Sequence, residues 1–223
     1  RQKADNVSGL LGESGFREYM NQLDTPLETG YLLRIGIDHF KEINDNFGQE
    51  YGDFVLKKTA ECISGCTSEG QKVYKLVADE FLILDVASDE AKDADKLYDK
   101  VREAIDRFIE TNEFKVMYTV SGGIVPFAAL KGNQCSEALK LTDFALNEAK
   151  KLGRNRCYIF NGETYRKFLR KREITQELRE AVINGFQGFT AFYQPVFAED
   201  KKVPYGAEAL MRFTSEKFGM ISP

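Results

Sequence analysis

The 223-residue chain predicts an α/β (α+β) sandwich of the ferredoxin-like kind around a central, mostly antiparallel sheet. Stretches of period two alternate with stretches of helical period along residues 1–160. Two short apolar runs, Val73–Leu76 and Phe81–Val86, lie close enough to close a hairpin through Val77-Ala78-Asp79-Glu80. Helices mixed with a sheet that holds a central hairpin define that class. The length suits one well-buried domain and part of a second.

A helix opens the order. Tyr31, Leu33, Ile35 and Ile37 then alternate with Leu32, Arg34, Gly36 and Asp38, a strand with one apolar and one mixed face. A short helix follows around His39 to Asp45. Leu56, Ala60 and Ile63 mark a longer one from about Gly52. Beyond the hairpin, Ala94, Leu97, Val101, Ala104 and Phe108 recur at helical spacing, and Phe114, Val116, Tyr118 and Val120 alternate as a strand. Ala138, Leu141, Ala145 and Ala149 predict another helix, and Cys157 to Phe160 a last strand. A charged helix from about Gly162 to Asn184 reads as a linker. Thr190–Phe197 and Ala207–Phe213 are further strand-like pieces, too short to complete a second core before Pro223. The expected organisation is a domain over 1–160, a linker over 161–184 and a fragment over 185–223.

Composition narrows the function classes. Hydrophobic residues at 43% and charged residues at 30% fit a folded globular chain. The net charge of −4 and the lack of a basic stripe argue against a nucleic-acid polymer as partner. No apolar run approaches the ~20 residues of a membrane helix, and nothing resembles a signal peptide. A cytoplasmic location is expected, with a membrane tether upstream of Arg1 left open. Cys62, Cys66, Cys135 and Cys157, with a single histidine, lack the spacing and ligand number of a zinc site and read as reduced, buried cysteines.

The chemistry concentrates in three segments. They are Gly36-Ile37-Asp38-His39-Phe40-Lys41-Glu42-Ile43-Asn44-Asp45 with Gly48 and Gly52-Asp53, then Val77-Ala78-Asp79-Glu80-Phe81, then Ala149-Lys150-Lys151-Leu152-Gly153-Arg154-Asn155. Together they resemble the GGDEF family, the diguanylate cyclases that join two GTP molecules into cyclic di-GMP. Asp5-Asn6-Val7-Ser8-Gly9-Leu10, with Phe16, resembles that family's opening motif. Four matches in the right order and spacing are far more specific than one. The resemblance implies a nucleotide-cyclase-like form of the sandwich.

Cyclisation is phosphoryl transfer, which needs metal ions to neutralise phosphate charge. The resemblance implies Mg2+ on two carboxylates, one at the position of Gly36 and the other at Asp79. Gly36 offers no ligand, so the implied metal site is weakened. Asp38 lies on the same strand face but ~7 Å further along, at about 3.3 Å per residue. It reads better as a cap on the helix that follows. Val77 and Ala78 replace the family's two glycines, and valine disfavours positive φ and adds bulk where substrate would lie. Glu80 and Phe81 remain as signature residues, although Asp79 and Glu80 alone would also suit a solvated turn.

The resemblance also implies a nucleotide site. Asn44 and Asp53 match the family's guanine-reading pair, and guanine's Watson–Crick edge presents adjacent N–H donors that a carboxylate can accept together. Lys41, Lys150 and Arg154 match phosphate-holding positions. The same residues would also serve as helix-end caps or surface charges. Ser68 and Gln71 occupy the family's Arg-x-x-Asp feedback positions, so product inhibition there is not expected.

Phe192-Tyr193-Gln194-Pro195-Val196 and Glu208-Ala209-Leu210-Met211-Arg212 resemble the start of an EAL domain, the family that hydrolyses cyclic di-GMP. Glu208 corresponds to its first metal ligand, and Gln194 and Arg212 to positions that contact cyclic di-GMP. A lone Glu208 does not make a two-metal site. The expected function is an inactive GGDEF domain that binds GTP and regulates an attached phosphodiesterase. GTP, cyclic di-GMP in the complete parent, and a second copy of the chain are the candidate partners. Two alternatives stay open: an active cyclase with an atypical metal site, and a purely structural or dimerisation module.

Overall fold

A computed structural model of the chain describes residues 4–88, 90–111, 116–132, 134–199 and 202–221. Its contacts separate two units, Arg1–Asn161 and Gly162–Pro223. The first runs β1 (Leu11–Gly12), α1 (Glu13–Asn21), β2 (Tyr31–Ile37), α2 (Phe40–Phe47), α3 (Gln49–Cys66), β3 (Gln71–Lys75), β4 (Glu80–Asp85), α4 (Ala91–Thr111), β5 (Val120–Pro126), α5 (Cys135–Lys151) and β6 (Cys157–Ile159).

The sheet order is β1-β3-β4-β2-β5-β6. β2 pairs antiparallel with β4 and β5, β3 pairs antiparallel with β4, and the two outer pairs are parallel. The expected α/β sandwich with a mostly antiparallel sheet is therefore the observed class. Every residue of β2 is buried. One face carries Leu33, Ile35 and Ile37 into a core with Val55, Ile63, Val101 and Ile105 of α3 and α4. The other places Leu32 in a second core with Phe16 and Met20 of α1 and Ala138 of α5. The mixed face predicted for β2 is thus covered as well, because helices flank the sheet on both sides.

Two expectations shift. The strand predicted from Phe114 begins only at Val120 and runs on to Pro126; Phe114 itself lies outside the described residues. The ladder with β2 ends at the Ile37–Val120 pair, and beyond Ile37 the chain turns into α2, so residues 116–119 have no strand to pair with. The hairpin connection spans residues 76–79, and Glu80 already belongs to β4.

α5 lies directly on β5. A β-carbon added at Gly123 would meet the Leu146 backbone nitrogen at 2.3 Å. Only glycine permits that approach. It brings Leu146, and one turn later Lys150, over the neighbouring strand β2 at Gly36.

The second unit holds α6 (Gly162–Ile183) and the three-stranded sheet β7 (Phe189–Phe197), β8 (Pro204–Ser215) and β9 (Gly219–Ile221). Among the described residues no helix is long and apolar enough to cross a membrane.

Candidate functional site

The residues at the end of β2 and the β3–β4 turn meet around Gly36. The backbone carbonyl of Asp79 accepts a hydrogen bond from the Ile37 N–H at 3.3 Å, and Gly36 pairs with Glu80 in the ladder. The two positions at which the family would place metal carboxylates are therefore adjacent in space. What surrounds them differs from a metal site. A β-carbon on Gly36 would lie 3.2 Å from Lys150 Nζ, and the same ammonium is 3.9 Å from Glu80 Oε1. Arg34, two residues before Gly36 on the same face, donates from Nε to Glu80 Oε2 at 2.7 Å and from Nη1 to the Leu139 carbonyl at 3.1 Å. Arg34 is 8% exposed. The Glu80 carboxylate is thereby engaged by two cationic side chains. Burial pushes the Asp79 carboxyl above its ordinary value, with Lys150 opposing.

These residues do not fit a divalent ion. Mg2+ needs several oxygen ligands. Gly36 supplies none, Glu80 is tied to Arg34, and among the described residues no group of three or more His, Cys, Asp or Glu side chains could hold a metal.

The turn itself corrects one expectation. The residue with positive φ is Ala78 (φ 54°), whereas Val77 stands 71% exposed at the tip. Lys75, buried beneath, donates through Nζ to the carbonyls of Leu76 and Ala78, and this holds the turn where glycines would otherwise ease it.

Asp38 is a second correction. It does not cap α2, whose N-cap, His39, makes no side-chain cap bond. Its buried carboxylate accepts from Thr119 Oγ1 and Ser121 Oγ, both at 2.7 Å, and from the Asn155 N–H at 3.1 Å. It therefore clamps the loop after α5 to the ends of β2 and β5. In that loop Gly153, Arg154 and Asn155 all have positive φ. The strand turns away after Ile37, so Asp38 meets β5 and this loop instead of the first turn of α2.

The candidate guanine-reading residues sit at the α2–α3 corner. Asn44 is on α2 and Asp53 on α3, separated by the turn at Gly48 (φ 84°). Asn44 Oδ1 lies 1.8 Å from where a β-carbon on Gly52 would stand, so any larger residue at 52 would displace it. That oxygen is buried and has no hydrogen-bond partner among the described residues. The structure thus brings Asn44 beside the residue preceding Asp53, and brings Lys150 to Asp79 and Glu80. Lys41 on α2 and Arg154 after α5 stand exposed, and among the described residues neither forms an ion pair. Arg34 and Lys75 were not among the expected site residues. Their only sequence signal is a basic residue on an inward-facing strand position.

In the second unit, Gln194 of β7 pairs directly with Glu208 of β8, and Thr190 with Arg212. Strand alternation places Gln194, Glu208 and Arg212 on one face of that hairpin.

The family model for the diguanylate cyclase GGDEF domain matches residues 3–156. The cyclic di-GMP phosphodiesterase NbdA of Pseudomonas aeruginosa is 28% identical over 224 residues, covering 98% of this chain and 28% of NbdA. The chain thus spans little more than a quarter of that relative's length. The GGDEF-only structure of TpbB (YfiN) from Pseudomonas aeruginosa superposes with TM-score 0.65 at 23% identity, over 75% of this chain and 99% of that one. The S helix-GGDEF-EAL structure of Vibrio cholerae LapD, bound to c-di-GMP, superposes with TM-score 0.59 at 20% identity, over 97% of this chain and 50% of that one. At these identities the two structures speak for the fold.

Proposed function

The chain belongs to the GGDEF family of diguanylate cyclase domains and to cyclic di-GMP signalling, and from that premise we propose that it is a guanine-nucleotide-binding regulatory module that does not turn over. The observation that carries this reading is Asn44. A buried amide oxygen without a partner is costly to leave unsatisfied, and by turning out from Gly52 it would gain a guanine N–H as donor. Asp53 follows Gly52, against which Asn44 rests, and its carboxylate is the complementary acceptor pair for guanine. Turnover is argued against by the cationic surroundings of Gly36 and Glu80.

In the complete parent, the face bearing Gln194, Glu208 and Arg212 belongs to an EAL domain that acts on cyclic di-GMP in the cytoplasm, and GTP at the first unit sets its rate. Calorimetry of GTP and ATP against the chain and its Asp53→Ala variant tests the nucleotide reading. GTP is expected to bind, ATP to bind at least about tenfold more weakly, and Asp53→Ala to abolish the difference, as a lost bidentate contact of ~1–3 kcal/mol would. Equal binding of the two nucleotides, or none, would move the chain to a structural role. Steady formation of cyclic di-GMP would move it to the active cyclases.

A further inference from the structure

The Gly36 position and the cations beside it can be read together. Lys150 Nζ lies 3.2 Å from the point where a Gly36 β-carbon would stand, and 3.9 Å from Glu80 Oε1. An ammonium thus lies beside the position from which a carboxylate would hold a divalent ion. Arg34 Nε, at 2.7 Å from Glu80 Oε2, brings a second positive group to the same face. Leu139, Asp143, Leu146 and Lys150 follow one another along one face of α5, so the helix that covers this part of β2 itself delivers the cation. A divalent ion placed here would meet Lys150 and Arg34, the latter paired with Glu80 and, at 3.5 Å, with Asp143, and one carboxylate not tied to Arg34, Asp79. Its repulsion from the cations is not offset by ligands. A polyphosphate meets the opposite situation, because Lys150 is a compact point charge of the kind that binds phosphate, one quarter exposed at its side chain.

We infer that this site takes a nucleoside triphosphate without a divalent ion, its phosphate charge met by the Lys150 ammonium beside Gly36. The inference rests on the nucleotide-binding reading above and adds the charge carrier to it. Lys150 is partly screened by Glu80 in the free protein, and binding exchanges that longer contact for phosphate oxygens while Arg34 continues to hold Glu80.

The test is calorimetric titration of the full chain with GTP in excess Mg2+, with GTP in EDTA, and with guanosine in EDTA. GTP affinity in EDTA is expected to match that in Mg2+ within about threefold, and guanosine to bind more weakly than GTP. Lys150→Gln is expected to weaken GTP in EDTA by about tenfold or more while leaving guanosine unchanged, as loss of a charge-assisted contact does. Gly36→Asp supplies an independent variant: its carboxylate would compete for Lys150 and weaken GTP in EDTA. GTP binding that requires Mg2+ would overturn this inference and leave the nucleotide reading standing. GTP binding unaffected by Lys150→Gln would likewise overturn it. Absence of GTP binding under both conditions would overturn the nucleotide reading and the inference together. Circular dichroism of both variants separates lost binding from lost fold.

Discussion

Arg34 and Glu80 form a diagonal pair across β2 and β4, with Arg34 Nε 2.7 Å from Glu80 Oε2 and Arg34 itself 8% exposed. The pair gives the signature glutamate a partner within the sheet. Removing Arg34 leaves Glu80, 18% exposed at its side chain, with only the 3.9 Å contact to Lys150, and breaking a fully buried pair from one side costs at most ~3–5 kcal/mol. Arg34→Ala is therefore expected to lower the free energy of urea unfolding by about 3 kcal/mol. A double-mutant cycle with Glu80→Gln is expected to give a coupling on the order of 1–3 kcal/mol. Additivity of the two single changes would show that the pair contributes nothing.

Ala78 adopts φ 54° at the tip of the β3–β4 turn. A left-handed conformation costs a residue with a β-carbon roughly 1–2 kcal/mol, which glycine avoids. Ala78→Gly is expected to stabilise the protein by ~1 kcal/mol, read as a higher urea midpoint at unchanged slope. Val77→Gly relieves no such strain and is expected to leave the midpoint unchanged or lower it slightly.

Asp38 joins three segments through two hydroxyls and a backbone N–H. Asp38→Ala leaves the buried Ser121 hydroxyl and the more exposed Thr119 and Asn155 donors without their acceptor, and a loss of about 1–3 kcal/mol is expected. Hydrogen exchange at residues 153–155 should quicken more than exchange in α3, since the clamp acts on that loop. Uniform quickening would instead mark a global effect.

β7 carries Phe192, Tyr193 and Phe197 at exposures of 50%, 70% and 51%. An edge strand with exposed apolar side chains seeks a partner. A chain ending at Asn161 is expected to be more monomeric in light scattering than the full chain, at equal concentration. Equal molar masses for the two would show that this strand is not adhesive.

A longer protein with a complete EAL domain is expected to hydrolyse cyclic di-GMP at a rate that GTP changes. A coupling of ~1–3 kcal/mol corresponds to a roughly 5- to 150-fold change in affinity. Asp53→Ala is expected to remove the response to GTP. A hydrolysis rate indifferent to GTP would detach the first unit from regulation.

Much of the fold was legible because its elements are locally encoded. Alternation from Tyr31 to Ile37 and the spacing of Ala138, Leu141, Ala145 and Ala149 each mark one face of one element, and each of those residues is buried. The strand predicted from Phe114 failed at its start, because a strand begins where a partner exists, and β2 offers none before Val120. Pairing of that kind lies outside any local pattern.

The site divides along the same line. The sequence by itself determined which residue types are present: glycine at 36, the Asp79-Glu80-Phe81 signature, Asn44 and Asp53, and Lys150. The tertiary structure decided what those residues face. It set Arg34 against Glu80, brought Lys150 over Gly36 through the close approach of α5 at Gly123, moved the strained backbone from Val77 to Ala78, and turned Asp38 from a helix cap into a clamp. The physical reason is that a charge acts on whatever lies within a few ångströms, and here Arg34 and Glu80 are separated by 46 residues and Asp38 and Asn155 by 117. Local sequence fixes the identity of each group, while the packing of α5 and β4 on β2 fixes its electrostatic neighbours.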